Sequence, residues 1–100
     1  MDSDSLTREI VQDLRRRVLA GDSTLSVLRW LKSDLEGRGV DPEASSFVMI
    51  RMLRRAFDIG LSPARLVASW DELSDKGYLS SEELVQRLGP LIPRTKELYQ

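Results

Sequence analysis

The amino-acid sequence predicts an all-α fold, a compact orthogonal bundle of about five short helices around a central helix at about residues 42–58. Each apolar segment repeats with the helical period of about 3.6 residues, and none alternates over the length of a strand. Gly, Pro, Ser and Asp stand between these segments, where one helix ends and the next begins. In residues 47–57 the apolar side chains cover an arc of about 200°, roughly twice the stripe of a surface helix. This helix is therefore expected to be covered on more than one side.

The chain has 100 residues and a net charge of −1, and a chain of this length forms one hydrophobic core. We expect a single helical domain over residues 1–100, with a loosely ordered N-terminus (1–4) and C-terminal tail (about 91–100). No apolar run approaches the roughly 20 residues that cross a bilayer. The acidic start, residues 1–4, lacks the basic region of a signal peptide. The sequence thus predicts a cytoplasmic protein that does not enter a membrane.

Cysteine and histidine are absent from the sequence. Their absence removes thiolate nucleophiles, histidine general bases, disulfides and Cys/His zinc sites. The carboxylate pairs Asp71/Glu72 and Glu82/Glu83 are adjacent in sequence, and adjacent side chains on a helix face away from each other. We therefore predict no enzymatic activity, no catalytic residue, no metal ion and no cofactor.

The first amphipathic helix is predicted over about residues 5–20, with Gly21 as its end. The face of this helix opposite its apolar residues is charged. The run Arg15–Arg17 is interpreted as a solvated cap that meets the negative end of the helix dipole. A phosphate-binding patch is the alternative, but the three side chains point in different directions. The apolar face carries Leu6, Ile10, Val11, Leu14 and Val18.

The second helix is expected to begin after residues 22–24, which supply alternative N-caps, and to end near Gly37. Trp30 lies at the edge of the apolar stripe, which predicts a partly buried ring with its N–H toward the surface. Residues 37–40 are interpreted as a flexible connection. The core face carries Val27, Leu28, Trp30, Leu31 and Leu35.

The central helix has its entry signal at Asp41 and Pro42, because Asp accepts from the free N–H groups of the first turn and Pro there loses no helical bond. Gly60 is the expected stop. A fourth helix is then predicted with Ser62 as N-cap and Pro63 at its first position. Its buried face is expected to carry Leu66, Val67, Trp70 and Leu73.

A turn over residues 74–78 is predicted to lead into the fifth helix. Ser80 and Glu83 have the S-x-x-E spacing of a capping box. Gly89–Pro90 is expected to end this helix. The apolar residues at helical spacing between these signals are Leu84, Val85 and Leu88.

The segment 72–83 also resembles an EF-hand calcium loop in its later positions, with Gly77 at the turn and Glu83 as the bidentate ligand. Its early positions depart from that pattern, because Lys76 stands where an oxygen ligand is required and Glu72 replaces Asp. The structural interpretation, a glycine turn followed by a capping box, explains the same residues. We therefore predict no calcium binding.

Residues 56–66 match the usual spacing of a helix-turn-helix motif, with a small residue in the first helix and Gly60 in the turn. The second helix of this motif is the predicted fourth helix of the chain, and its outward face would carry Arg65 beside Asp71 and Glu72. Such a face is poorly suited to contact base edges, because acidic side chains are repelled by phosphates. A nucleic-acid-binding regulator is therefore the second-ranked function. Its contact residues would be Arg51, Arg54, Arg55 and Arg65.

Phe47 lies apart from the apolar arc of the central helix, amid three arginines. An aromatic ring surrounded by arginines is enriched at binding hot spots, where the ring fills a pocket and the guanidinium groups pair with carboxylates. In the alternative interpretation, Phe47 packs under residues 37–40 and the arginines form ion pairs with acids of neighbouring helices. The sequence slightly favours this alternative over an exposed binding residue.

With catalysis, metal binding and membrane insertion excluded, the sequence predicts a protein-binding module that acts as an adaptor, inhibitor, immunity-type or regulatory protein. Its partner is expected to be another protein with an acidic surface. The predicted contact residues are Phe47, Arg51, Arg54 and Arg55.

Overall fold

Five α-helices and two 3₁₀-helices make up the part of the chain that the computed structural model describes, which is the backbone of residues 3–93 and all side chains there except Ser3, Asp4 and Pro42. The all-α prediction is confirmed, since the described residues are 73% helical and contain no strand. The helices are α1 (Ser3–Leu19), α2 (Thr24–Gly37), α3 (Pro42–Phe57), α4 (Leu61–Ala64) and α5 (Ser81–Leu88), with 3₁₀-helices at Arg65–Ser69 and Gly89–Leu91.

The two ends of the chain were predicted to be loosely ordered. The backbone of Ser3 and Asp4 is part of α1, and Ile92 is buried. The remaining residues of that prediction, 1–2 and 94–100, lie outside the described residues.

Helix α3 occupies the centre of the bundle, as predicted, because α1, α2, α4 and the first 3₁₀-helix all pack against it. Met49 and Leu53 of α3 are completely buried. Truncating such a leucine to alanine typically costs about 2–5 kcal/mol of stability. The other completely buried side chains include Ile10, Leu14, Val27, Leu28, Leu31, Trp70, Leu84 and Leu88.

The first two helices end in the same hydrogen-bonded motif, in which a glycine with positive φ turns the chain back on the last helical carbonyls. In α1 this residue is Gly21 (φ 99°), as predicted, and the next N–H, that of Asp22, donates to the Arg17 carbonyl at 3.0 Å. In α2 it is Gly39 (φ 82°), and the Val40 N–H donates to the Leu35 carbonyl at 3.0 Å. Residues 37–40 are therefore a closed turn, and the prediction of a flexible connection is wrong.

The boundary between α3 and α4 differs from the prediction. Asp58, not Gly60, ends α3, because it adopts the left-handed conformation (φ 53°, ψ 37°) that short polar side chains tolerate, and its N–H donates to the Arg54 carbonyl at 2.9 Å. Gly60 is instead the N-cap of α4. Ser62 and Pro63 therefore lie inside α4, so their predicted positions as N-cap and first helical residue are wrong.

The predicted fourth helix does not continue as one α-helix. After four residues it narrows to a 3₁₀-helix and ends at Trp70, whose backbone is extended (φ −70°, ψ 131°). The helix ends early because its last residues form backbone hydrogen bonds with Leu79, later in the chain. The Asp71 N–H donates to the Leu79 carbonyl at 2.8 Å, and the Leu79 N–H donates to the Ser69 carbonyl at 2.9 Å. These two bonds pull the segment out of helical geometry.

The turn over residues 71–80 is closed around the buried indole of Trp70. The Trp70 Nε1–H donates to the Ser81 hydroxyl at 3.0 Å, so the ring is buried with its polar atom satisfied. Gly77 approaches the Trp70 backbone so closely that a Cβ there would lie 2.5 Å from the Trp70 carbonyl oxygen. Ser80 caps α5, as predicted, because its hydroxyl accepts from the Glu83 N–H at 3.2 Å.

Candidate functional site

Phe47 is exposed on the surface of α3, with 71% of its area accessible to solvent. The alternative that packs it under residues 37–40 is wrong. That connection is bonded back onto the end of α2, and α3 turns its opposite face, with Met49 and Leu53, toward the core. Phe47 is therefore a large apolar side chain that the fold leaves uncovered.

A hollow of about 490 Å³, which we call the Phe47 groove, lies along this side of α3. Phe47 forms one wall, and Ile50 and the buried Ile59 supply further apolar surface. The structure therefore brings all four predicted contact residues to one groove. Its charged lining consists of Arg51, Arg54, Arg55 and Asp58.

The three arginines of the Phe47 groove form no ion pair with any described side chain, although arginines elsewhere on the molecule do. Unpaired guanidinium groups keep their bidentate donors available for a carboxylate or a phosphate. The groove is therefore a basic surface with an aromatic wall. The arginine pairs elsewhere are Arg16–Asp13 (2.9 Å), Arg17–Asp22 (3.7 Å), Arg29–Glu72 (2.6 Å), Arg38–Asp34 (2.8 Å) and Arg38–Glu9 (3.8 Å).

A second hollow, of about 570 Å³, lies between α1 and α3 and shares Arg55 with the Phe47 groove. We call it the Arg8 hollow. It is lined by Thr7, Arg8, Val11 and Arg15 in addition to Arg55. Two of these arginines, Arg8 and Arg15, did not enter the predicted site. Arg8, Val11 and Arg15 are three and four residues apart, which places them on one helix face, and this spacing is the signal that could have found them.

The run Arg15–Arg17 was interpreted as a solvated cap whose side chains point in different directions, and the three side chains do diverge. Arg15 crosses to α3, where its Nε and Nη2 donate to the carbonyls of Ala56 (2.9 Å) and Arg55 (3.0 Å). Arg17 lies over the Trp30 ring, 4.3 Å from its centroid. Arg16 pairs with Asp13. Arg15 is thus more than a solvated residue, because it binds the carboxyl end of the central helix.

The helix-turn-helix interpretation lacks its second helix in the structure. The element after Gly60 has four α-helical residues and then five 3₁₀ residues, so no regular recognition helix is present there. Arg65 is exposed but lines neither the Phe47 groove nor the Arg8 hollow. The contiguous positive face therefore extends from α3 toward α1, not toward Arg65.

The calcium-like segment is held by a network of side chains. Glu72 accepts two hydrogen bonds from Arg29, from Nε at 3.0 Å and from Nη2 at 2.6 Å, and a third from the Ser81 hydroxyl. The Arg29 bonds first, and the Ser81 bond second, hold the pKa of Glu72 below its ordinary value of 4.5. Glu72 is thus occupied as an internal ion-pair partner. Among the described residues no group of three or more acidic side chains is arranged to hold a metal ion.

Comparison of the chain with protein families, with curated proteins and with solved structures finds no match. Within residues 3–93, none of the helices combines the length and the apolar character that crossing a bilayer requires.

Proposed function

We propose that this protein is a non-catalytic, cytosolic protein-binding module that uses the Phe47 groove to hold a partner protein with an acidic surface. The observation that carries the proposal is the exposure of Phe47 between three arginines that form no ion pair with a described side chain. An adaptor, inhibitor, immunity-type or regulatory role would each use such a surface.

The composition of the groove supports a protein partner. Aromatic residues and arginine are enriched at the centres of protein interfaces, whereas lysine and acidic residues are depleted. Phe47, Ile50 and Ile59 offer apolar surface that a partner side chain would desolvate. The guanidinium groups around them offer bidentate pairing to carboxylates at the rim.

The absence of histidine and cysteine from the sequence supports a role without catalysis, because these residues supply most general bases and nucleophiles. Glu72, the acid most perturbed in pKa among the described residues, is bound by Arg29 and Ser81. It serves the packing of the 71–80 turn.

The test is a pair of substitutions, Phe47→Ala in the groove and Tyr78→Ala as the matched control. Tyr78 is equally exposed, at 76%, but lies in the 71–80 turn. Both variants should retain the stability of the wild type to within about 0.5 kcal/mol, because neither removes a buried side chain. Partners captured from the source organism with the wild-type protein are purified and titrated against all three proteins.

Phe47→Ala is expected to weaken the binding of the partner by about 2 kcal/mol or more, which is about 30-fold in Kd. Tyr78→Ala is expected to leave Kd unchanged. If the partner binds the Phe47→Ala variant as tightly as the wild type, the Phe47 groove is not the interaction site. If Phe47→Ala lowers stability by about 3–5 kcal/mol, the residue is part of the core and the premise is wrong.

A further inference from the structure

We infer that the Arg8 hollow is an anion-binding subsite of the same interface, so that the partner segment carries an acidic side chain next to an apolar one. The inference rests on the proposed function, since the apolar side chain is the one held in the Phe47 groove. The sequence-based prediction placed the site on α3 alone. The structure assigns part of it to α1.

The Arg8 hollow is lined by three arginines, the Thr7 hydroxyl and Val11, and no described acidic side chain lines it. Arg8 and Arg55 form no ion pair with any described side chain. Glu9, which follows Arg8 in the chain, does not neutralise it, because Glu9 lies 3.8 Å from Arg38. Clusters of arginine side chains on one surface are an arrangement that recognises carboxylate or phosphate groups in peptides.

Arg15 acts here as a positioning residue. Its two hydrogen bonds to the carbonyls of Ala56 and Arg55 hold α1 against the carboxyl end of α3. The same bonds keep the backbone of Arg55 at the junction of the two hollows. Arg55 thus lines both hollows, and it joins the Arg8 hollow to the Phe47 groove.

Charge and shape together favour an acidic peptide segment over a nucleic acid. Single-stranded nucleic acids are held by successive bases stacked on several aromatic side chains. Among the described residues this face presents one exposed aromatic ring, Phe47, because the other exposed ring, Tyr78, lies in the 71–80 turn. A ligand with one apolar group and one or more carboxylates complements this surface.

The anion subsite is tested alone with a hexaglutamate peptide blocked at both ends, which has no apolar side chain for the Phe47 groove. Amide and arginine Nε–H resonances of the full chain are followed during the titration at about 20 mM salt, where charge interactions are weakly screened. The largest shifts are expected at Thr7, Arg8, Arg15 and Arg55. Arg8→Glu should reduce the affinity at least about fivefold.

The matched control is Arg87→Glu. Arg87 is exposed on α5 and also forms no ion pair with a described side chain, so this variant changes the net charge by the same amount. If Arg87→Glu weakens hexaglutamate binding as much as Arg8→Glu, the attraction is a property of net charge and the subsite does not exist. Shifts spread evenly over all arginines would overturn the inference in the same way.

A second experiment separates failure of this inference from failure of the proposed function. Peptides selected from a random 16-residue display library on the full-length protein are titrated at about 150 mM salt against Phe47→Ala and Arg8→Glu. Loss of binding in both variants supports the bipartite site. Binding that needs Phe47 but is indifferent to Arg8 overturns the anion subsite and leaves the proposed function standing.

Binding that is indifferent to Phe47 overturns both proposals. A 16-nucleotide single-stranded DNA serves as the competing ligand. If it binds more tightly than any selected peptide at the same salt concentration, and loses affinity in both variants, the face belongs to a nucleic-acid-binding protein and the peptide assignment is wrong.

Discussion

Replacing Gly77 by alanine is expected to destabilise the protein strongly, although Gly77 does not have a positive φ. A Cβ at this position would lie 2.5 Å from the carbonyl oxygen of Trp70, 2.6 Å from its carbonyl carbon and 2.8 Å from the carbonyl oxygen of Ser69. All three are backbone atoms, so no side-chain rotation relieves the clash. Either the 71–80 turn or the Trp70 segment has to move.

The structure sets the size of the effect. The Trp70 segment is held by two backbone bonds to Leu79 and by the bond from the buried indole to Ser81. Each hydrogen bond contributes about 1 kcal/mol, and forced displacement in a packed region costs about 1–3 kcal/mol. The lower entropy of the unfolded alanine chain returns about 0.4–1 kcal/mol. If one of these three bonds is lost, the middle of each range gives a net loss of about 2–3 kcal/mol.

Thermal unfolding followed by circular dichroism at 222 nm measures this loss. For a domain of this size each kcal/mol shifts the Tm by about 4–8 °C, so Gly77→Ala should lower the Tm by about 8–24 °C. Gly37→Ala is the matched control. A Cβ at Gly37 meets nothing within 4 Å, and this substitution should leave the Tm unchanged or raise it by a few degrees.

A Gly77→Ala variant as stable as the wild type would refute the steric argument, because it would mean that the turn yields freely. A loss of stability that appears only with calcium bound would refute the structural interpretation of residues 72–83. Equal losses in Gly77→Ala and Gly37→Ala would show that the effect is not specific to the contact with Trp70.

Three further outcomes follow from the charges of the molecule. Because the pKa of Glu72 is lowered in the fold, its contribution to stability is full above pH 4.5 and is lost as the pH falls through the lowered value, so Glu72→Gln should flatten the acid side of the stability profile. The effect at pH 7 should be small, since the Arg29–Glu72 pair is partly exposed. Calorimetry should detect no calcium binding at micromolar concentrations, because Lys76 occupies a ligand position, and a micromolar Kd would contradict the assignment. Binding to double-stranded DNA should be weak and vanish at about 150 mM salt, so sequence-selective binding that survives would reverse the ranking of the two functions.

Features that depend on neighbouring residues were predictable from the sequence. Ser80 caps α5 as expected, and Ser23, one of the three alternative N-caps, caps α2, because the cap bond joins residues three apart. The buried face of α1 follows from the helical period alone. The central position of α3 was predictable because its apolar arc is too wide for one neighbour.

Features that depend on distant residues were not predictable in the same way. The fourth helix stops early because the Trp70 segment bonds to Leu79, and a helical pattern continues through that point in the sequence. Asp58 ends α3 two residues before the more obvious Gly60. Both a polar αL residue and a glycine satisfy the local rule, so the choice depends on where α4 docks.

The part of the candidate site on α3 was predictable from the sequence, and the part on α1 was not. Helical spacing separates Phe47 and its arginines from the core, but its exposure depends on the path of residues 37–40, which Gly39 sets with its positive φ. Arg8 and Arg15 join the surface only because α1 packs along α3. Helical spacing within α1 predicts that Arg8 and Arg15 share one face, but no rule about local sequence predicts that α1 packs along α3.

The separation of paired and unpaired charges has a consequence for the speed of association. Among the described residues, the arginines that form no ion pair include Arg8, Arg51, Arg54 and Arg55 on α1 and α3, and the exposed acids that form none include Asp71, Asp75, Glu82 and Glu83. The chain has a net charge of only −1, yet these arginines give the surface shared by α1 and α3 a local excess of positive charge. For the proposed acidic partner, the association rate constant should therefore rise as salt is removed while the dissociation rate constant changes little.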